Sequence, residues 1–270
     1  MIMKRYLFLE NGLKFEGEGF GADKDIVSEI VFTTGMTGYI ETLTDPSYTG
    51  QSVVFTFPLS GNYGIIPADF ESKGVGLCAY ITREHCTEPS NFRCEKSLDV
   101  FLRECGITGL YGIDTRMLTK ILREHGTMNG IITGNAGFSD FDSLKNYRII
   151  NAVEKVSLKK PEFYRSEGSK YRISMLDFGA KGNIVRSLVK RGCDITLYPC
   201  NTGVKELLST SPDGIFLTNG PGDPKECAPV LRHIRELMES GIPILSICLG
   251  HQLLAGLLGV QPQPHAIGLS

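Results

Sequence analysis

Cys248 stands where two patterns meet. Ile242 to Ile247 is a short apolar run with the length of a buried strand, and Leu253, Leu254, Leu257 and Leu258 then recur on one helical face. The junction predicts a strand turning sharply into a helix, with Cys248 at the turn and Leu249-Gly250 behind it. Such a turn exposes its side chain. A helix N-terminus favours negative charge, and the thiolate is the nucleophilic form of cysteine. The chemistry on offer is attack on an acyl carbon. A lone cysteine also packs as a small hydrophobe, and the spacing admits both readings.

A second stretch bears on that choice. Asn219-Gly-Pro-Gly-Asp-Pro224 follows the apolar run Gly214 to Thr218, one strand-helix unit before the cysteine. Acyl transfer passes through a tetrahedral oxyanion, which backbone N–H groups stabilise. Gly220 and Gly222 permit close backbone approach and Pro221 stiffens the turn. The N–H of Leu249, next after the nucleophile, would be a second donor. The competing reading is a turn that only connects strand to helix. A phosphate loop is disfavoured, because no Gly-Lys-Ser/Thr follows.

These residues need elements to hold them. From Tyr171 onward strands and helices alternate: strands over 172–178, 194–198, 214–218 and 242–247, helices over 183–191, 204–209 and 225–240. Strict alternation with short loops predicts a parallel sheet flanked by helices, whose ligands bind at the carboxyl ends of the strands. Cys248 and the glycine loop both fall at such ends, which favours the nucleophile. Earlier, strands are expected over 4–9, 13–20, 26–34, 53–57 and 75–82, and Glu10-Asn-Gly12 signals a hairpin. Helices are expected over 95–104 and from Asp114, the latter with Met117, Leu118, Ile121 and Leu122 inward. The fold class expected is α/β overall: an N-terminal α+β domain over 1–150, a polar linker over 151–170, and a parallel-sheet domain over 171–270.

Composition excludes several classes. The chain has 270 residues, 41% hydrophobic and 21% charged, with net charge -2, so it lacks the basic footprint of a nucleic-acid binder. Eight cysteines with no Cys-x-x-Cys, and no apolar leader, read as reduced thiols in a cytoplasmic protein. The apolar stretch 242–260 has membrane length, but Pro243, Ser246, His251 and Gln252 interrupt it, so no membrane association is expected. No metal-ligand spacing is evident.

Asn219-Gly-Pro-Gly-Asp-Pro and Ile247-Cys-Leu-Gly-His-Gln252 together resemble the class I, triad-type glutamine amidotransferases. Asp177-Phe-Gly-Ala-Lys-Gly-Asn183, Met36-Thr-Gly-Tyr39, Leu43-Thr-Asp-Pro-Ser-Tyr48, Ser90-Asn-Phe-Arg93 and Gly112-Ile-Asp-Thr-Arg116 resemble the small, glutamine-hydrolysing subunit of carbamoyl phosphate synthetase. The resemblance covers residues 1 to about 259. It implies that Cys248 attacks the side-chain amide of L-glutamine through a glutamyl thioester. It also implies that Ser47, Gly220, Gly222, Leu249 and Gln252 contact the substrate. The ammonia would pass to a large-subunit partner that carries ATP, bicarbonate and Mg, for pyrimidine and arginine synthesis. No cofactor or metal is expected in this chain.

The sequence departs from that family in one respect that bears on chemistry. A nucleophile of this type needs a histidine and a group to orient it, which the family supplies as His-x-Glu well downstream of the cysteine. The histidines here are His85, His125, His233, His251 and His265, and none is followed two residues later by Glu or Asp. Residues 260–270 do not resemble the family and are expected to be a truncated, out-of-frame or divergent end. The amidotransferase domain is therefore expected to be incomplete, with an open sheet edge, and the polypeptide inactive alone. A catalytically dead protein that still binds the large subunit is the alternative. Ser246 stands where the family usually has glycine, and the turn is expected to tolerate it.

Overall fold

The computed structural model describes residues 3–260. The expectations for His265 and the rest of the tail lie outside that range. The chain divides into two compact units between Ile149 and Ile150.

The first unit is built on a closed seven-stranded barrel. Its elements are β1 (Met3–Leu9), β2 (Lys14–Gly21), β3 (Ile26–Thr33), α1 (Tyr39–Thr44), β4 (Gln51–Phe55), β5 (Leu59–Ser60), β6 (Ala79–Ile81), β7 (Glu84–His85), α2 (Leu98–Glu104), β8 (Thr108–Tyr111), α3 (Thr115–His125), β9 (Met128–Thr133) and α4 (Phe141–Lys145). The barrel runs β1-β2-β8-β6-β4-β3-β9 and closes because β9 pairs antiparallel with both β1 and β3. Strand alternation sorts the core into two clusters. Along β4, Val54 joins Leu7, Ile30, Ile81 and Leu110, while Val53 and Phe55 join Tyr39, Tyr80 and Phe101. The barrel lies outside the expected strands-then-helices order, because β8 and β9 are short and interrupted by Gly109 and Gly130. Those glycines mark close approach: a Cβ on Gly109 would lie 2.4 Å from the Phe20 ring, and one on Gly130 would lie 2.9 Å from the Phe8 carbonyl. One detail is corrected. Met117 is 46% exposed, since the buried stripe of α3 is Thr115, Leu118 and Leu122.

Buried Arg5 ties the barrel mouth to Asp23 and Asp25. Burial alone would raise the Asp25 pKa. The Thr133 hydroxyl, the Gly134 N–H and the Arg5 guanidinium outweigh burial and hold it below the usual carboxylate value. A depressed folded-state pKa contributes stability above the unfolded value of about 3.9 that is lost as pH falls through the folded value. The barrel should therefore weaken on acidification below about pH 4. Asp25→Asn should be less stable at neutral pH and show a flatter acid limb in urea titrations. An acid limb unchanged by Asp25→Asn would remove this group from the account.

The second unit contains α5 (Ala152–Val156), β10 (Glu162–Tyr164), β11 (Tyr171–Asp177), α6 (Gly182–Lys190), β12 (Cys193–Pro199), α7 (Val204–Leu208), β13 (Gly214–Leu217), α8 (Ala228–Glu239), β14 (Ile244–Ser246) and α9 (Leu249–Leu257). The sheet order is β10-β12-β11-β13-β14, and its last four strands are parallel. The parallel sheet flanked by helices is as expected. Along β11, Met175 faces the cluster holding Val185 of α6, and Leu176 faces the cluster holding Leu207, Ile234 and Leu253 of α7, α8 and α9.

The stretch 151–170 is not a linker. β10 pairs antiparallel with β12 across Glu162↔Leu197, the Leu158 N–H donates to Asp177 at 2.7 Å, and the Cys200 N–H donates to Ser157 at 2.9 Å. Its lysines and Pro161 suggested mobility, but its backbone hydrogen bonds are spent inside the second unit. β14 is likewise no fully buried strand. It is an edge of the sheet among the described residues, with Leu245 57% and Ile247 39% exposed. Among the described residues, no helix is long and apolar enough to cross a membrane.

Candidate functional site

The turn at Cys248 has the geometry the sequence predicts. Its backbone sits at φ 51, ψ -115, a conformation that L-residues rarely adopt. Cys248 is the N-cap of α9, and its carbonyl accepts the Gln252 N–H at 2.9 Å. The Ile247 N–H donates to the Leu217 carbonyl at 3.1 Å, and the Gly250 N–H donates to the Thr218 carbonyl at 3.0 Å. These bonds pin both sides of the turn to the carboxyl end of β13. Gly250 is required there: a Cβ would lie 2.5 Å from the Leu217 carbonyl oxygen. Ser246 sits half-buried opposite Leu217 and does not disturb the turn.

The strain at Cys248 has a measurable consequence. Cys248→Gly should stabilise the second unit by about 1 kcal/mol, the relieved strain less the entropy of the added glycine. Cys248→Ala should give no such gain in guanidinium titrations. Equal stabilities would mean the backbone there is relaxed.

Cys248 is exposed, unlike Cys193, Cys200 and Cys227. Burial pushes Cys227 up to about 11 and raises Cys193 and Cys200 as well, which keeps those thiols protonated and inert.

The glycine loop lies beside this turn, at the end of β13. Gly220 and Gly222 serve different ends. Gly220 lies against the chain after β11, and a Cβ on it would come 2.2 Å from the Phe178 carbonyl oxygen. Gly222 adopts φ +86, the left-handed region that favours glycine. Pro221 and Gly222 also border a cavity of about 190 Å³ lined by Ala152, Cys200, Cys227 and Val230. Leu249, buried, opens α9 and carries one of the N–H groups a helix leaves without an intrahelical partner. Gln252, half-buried, lies one turn further on.

So Cys248, Gly220, Gly222, Leu249 and Gln252 gather at the carboxyl ends of β13 and β14. Ser47 belongs to the first unit. It sits half-buried in the 3-10 turn Pro46–Tyr48, where the Asp45 carboxylate accepts the Ser47 N–H at 2.9 Å. That turn is tightly knit: the Thr44 hydroxyl accepts the Glu71 N–H at 2.9 Å, and the Thr49 hydroxyl donates to the Pro46 carbonyl at 2.7 Å. Within the hydroxyl-rich run 34–50, α1 buries Tyr39, Ile40 and Leu43 on one face.

Sequence reasoning missed the residues behind the glycine loop. Thr218 and Asn219 are buried, at 0% and 2% exposed. The Phe178 N–H donates to the Thr218 hydroxyl at 2.9 Å, and that hydroxyl donates to the Asn219 carbonyl at 2.9 Å. The Asn219 amide donates to the Gly179 carbonyl at 2.7 Å and accepts the Lys181 N–H at 3.1 Å. Asp177, also buried, accepts the Gly179 and Ala180 N–H groups at 3.0 and 2.8 Å. The available signal was polar residues placed directly after an apolar strand.

Among the described residues the histidines are scattered. His85 stacks on Phe20 in the first unit, and its pKa is lowered by burial. The His125 ring meets the Ile121 carbonyl at the end of α3. His233 lies on α8 with a buried Nδ1, and His251 is exposed in the first turn of α9. Among the described residues, no hydrogen bond or ion pair joins Cys248 to a histidine.

With this geometry in view, two family models match the chain. The carbamoyl-phosphate synthase small chain, CPSase domain, matches residues 7–132, and glutamine amidotransferase class-I matches residues 174–264. The carbamoyl phosphate synthase small chain of Clostridium perfringens is 49% identical over 259 residues, covering 95% of this chain and 73% of that one. The small chain of Bacillus cereus is 47% identical over 255 residues, covering 94% and 69%. That of Listeria monocytogenes is 45% identical over 255 residues, covering 93% and 69%. A solved aminopeptidase from Aneurinibacillus aligns at 11% identity over 80% of this chain and 58% of its own, with a TM-score of 0.28, too low to carry any argument.

Proposed function

This chain belongs to the carbamoyl phosphate synthase small-chain family, and from that premise we propose that Cys248 is the nucleophile of a glutamine-hydrolysing site in its second unit. The thiolate adds to the side-chain carbonyl carbon of L-glutamine. The C–N bond breaks, the nitrogen takes up the proton that the thiol has lost and leaves as ammonia, and a glutamyl thioester remains. Water then cleaves the thioester to glutamate and returns the thiol. Gly220, Gly222 and Leu249 supply the backbone N–H groups that face the oxyanion, and Gln252 holds the substrate. The ammonia serves a large-subunit partner that carries ATP, bicarbonate and Mg and makes carbamoyl phosphate for pyrimidine and arginine synthesis. The residues present, a thiol, N–H donors and an amide, are all suited to acyl transfer.

The observation that supports this most strongly is the backbone of Cys248 at φ 51, ψ -115, braced on β13 and presenting an exposed thiol at a helix N-terminus. A chloroketone analogue of glutamine tests it. The reagent should alkylate Cys248 ahead of the other seven cysteines, saturably, and L-glutamine should protect. Uniform labelling without glutamine protection would sink the proposal.

A second reading has one observation in its favour, the lack of any His-x-Glu or His-x-Asp in the 270 residues. On that reading the chain binds the large subunit without doing chemistry. Co-purification with a family large subunit, with no labelling preference at Cys248, would select it.

A further inference from the structure

We propose that Thr218 and Asn219 are positioning residues that set where the Gly220–Gly222 backbone stands relative to Cys248. The inference rests on the reading of Cys248 as a glutamine-directed nucleophile. The glycine loop lies against the chain that follows β11, and side chains make the attachment. The Asn219 amide bridges the Gly179 carbonyl at 2.7 Å and the Lys181 N–H at 3.1 Å. The Thr218 hydroxyl takes the Phe178 N–H and gives its proton to the Asn219 carbonyl, both at 2.9 Å. Asp177 fixes the receiving segment by accepting the Gly179 and Ala180 N–H groups. The same Thr218 contributes its carbonyl to the Gly250 N–H at 3.0 Å, directly behind Cys248. One residue therefore bonds the oxyanion-side loop through its hydroxyl and the nucleophile turn through its carbonyl.

At the far end of the loop packing is one-sided: Pro221 is buried, but Gly222 is exposed, and both border the cavity of about 190 Å³. The register of the N–H groups there is inherited from Thr218 and Asn219. A donor displaced by a fraction of an ångström loses most of its effect on a developing charge, while the thiol itself is untouched.

That separation gives the test. The full chain is labelled with iodoacetamide, which needs only the thiol, and with the glutamine chloroketone, which needs the surrounding site. The Cys248 peptide is followed by mass spectrometry. In Asn219→Asp the new carboxylate still accepts from Lys181 but faces the Gly179 carbonyl without a proton to give. The chloroketone rate constant should fall at least tenfold, with the iodoacetamide rate within twofold of wild type. Thr218→Val should behave like Asn219→Asp, and Thr218→Ser, which keeps the hydroxyl, should restore the rate. The Thr218 pair carries the test alone if Asn219→Asp does not fold. Equal falls for both reagents, or no rescue by serine, would reduce the pair to structural bracing and overturn the proposal. Chloroketone labelling of wild type that is neither saturable nor glutamine-protected would overturn the glutamine reading, and this inference with it.

Discussion

Gly220→Ala should cost the second unit about 3 kcal/mol, the upper end of what overpacking imposes, whereas Gly256→Ala in the same unit should gain up to about 1 kcal/mol. The two substitutions add the same methyl group. On Gly220 it would lie 2.2 Å from the Phe178 carbonyl oxygen and 2.8 Å from the Phe178 Cβ, and neither belongs to a side chain that can swing away. On Gly256 it meets nothing within 4 Å and replaces the poorest non-proline helix former in the last turn of α9. Gly222→Ala should fall between them at about 1–2 kcal/mol, because its cost is a left-handed backbone with a tight 3.2 Å approach to the Ala152 Cβ, not the 2.2 Å clash at Gly220. Guanidinium unfolding followed by a probe in the second unit reads all three. The Gly220 variant should also lose preferential chloroketone labelling of Cys248, since the loop must move to make room. If Gly220→Ala proved as mild as Gly222→Ala, the loop would not be held against Phe178 as described.

What could be read before any coordinates divides along physical lines. The turn at Cys248 was legible because two periods meet there, apolar spacing of a strand on one side and of a helix on the other, with a glycine placed where only glycine clears Leu217. The parallel sheet was legible from strict alternation. The barrel was not. Its closure depends on β9 reaching both β1 and β3, pairings that no local pattern encodes, and Gly109 and Gly130 break the apolar alternation that would have marked β8 and β9. The stretch 151–170 misled for the opposite reason. It is polar and proline-bearing like a linker, yet its bonds run to Asp177, Cys200 and β12, partners distant in sequence. Ser47 was reachable only through resemblance, because a serine in a hydroxyl-rich loop has no spacing of its own. Asn219 opens the Asn-Gly-Pro-Gly motif and Thr218 ends the apolar run before it, so in the sequence the glycines alone mark the loop. Their part becomes visible only when the chain after β11 is seen lying against the loop.

Ammonia release from L-glutamine by the 270-residue chain should stay within about twofold of a Cys248→Ser control, even while the chloroketone labels Cys248, because general acid–base assistance is worth about 10²–10⁴-fold and has no evident donor here. The two reactions ask for different things. Alkylation by the chloroketone needs the thiolate, the surrounding site and a leaving chloride, but no proton for a departing nitrogen. Amide hydrolysis must deliver a proton to a departing nitrogen and then remove one from water, and a positioned histidine does both in sites of this type. No histidine of this sequence has Glu or Asp two residues on. His251 is the nearest in sequence, and it is exposed on the first turn of α9, with no hydrogen bond or ion pair joining it to Cys248. His85 and His125 belong to the first unit, and the ring of His233 is half-buried on α8. Turnover well above the serine control would show that one of these rings, His251 first, reaches the leaving group. His251→Gln would then abolish the excess, while the chloroketone labelling stayed as it was.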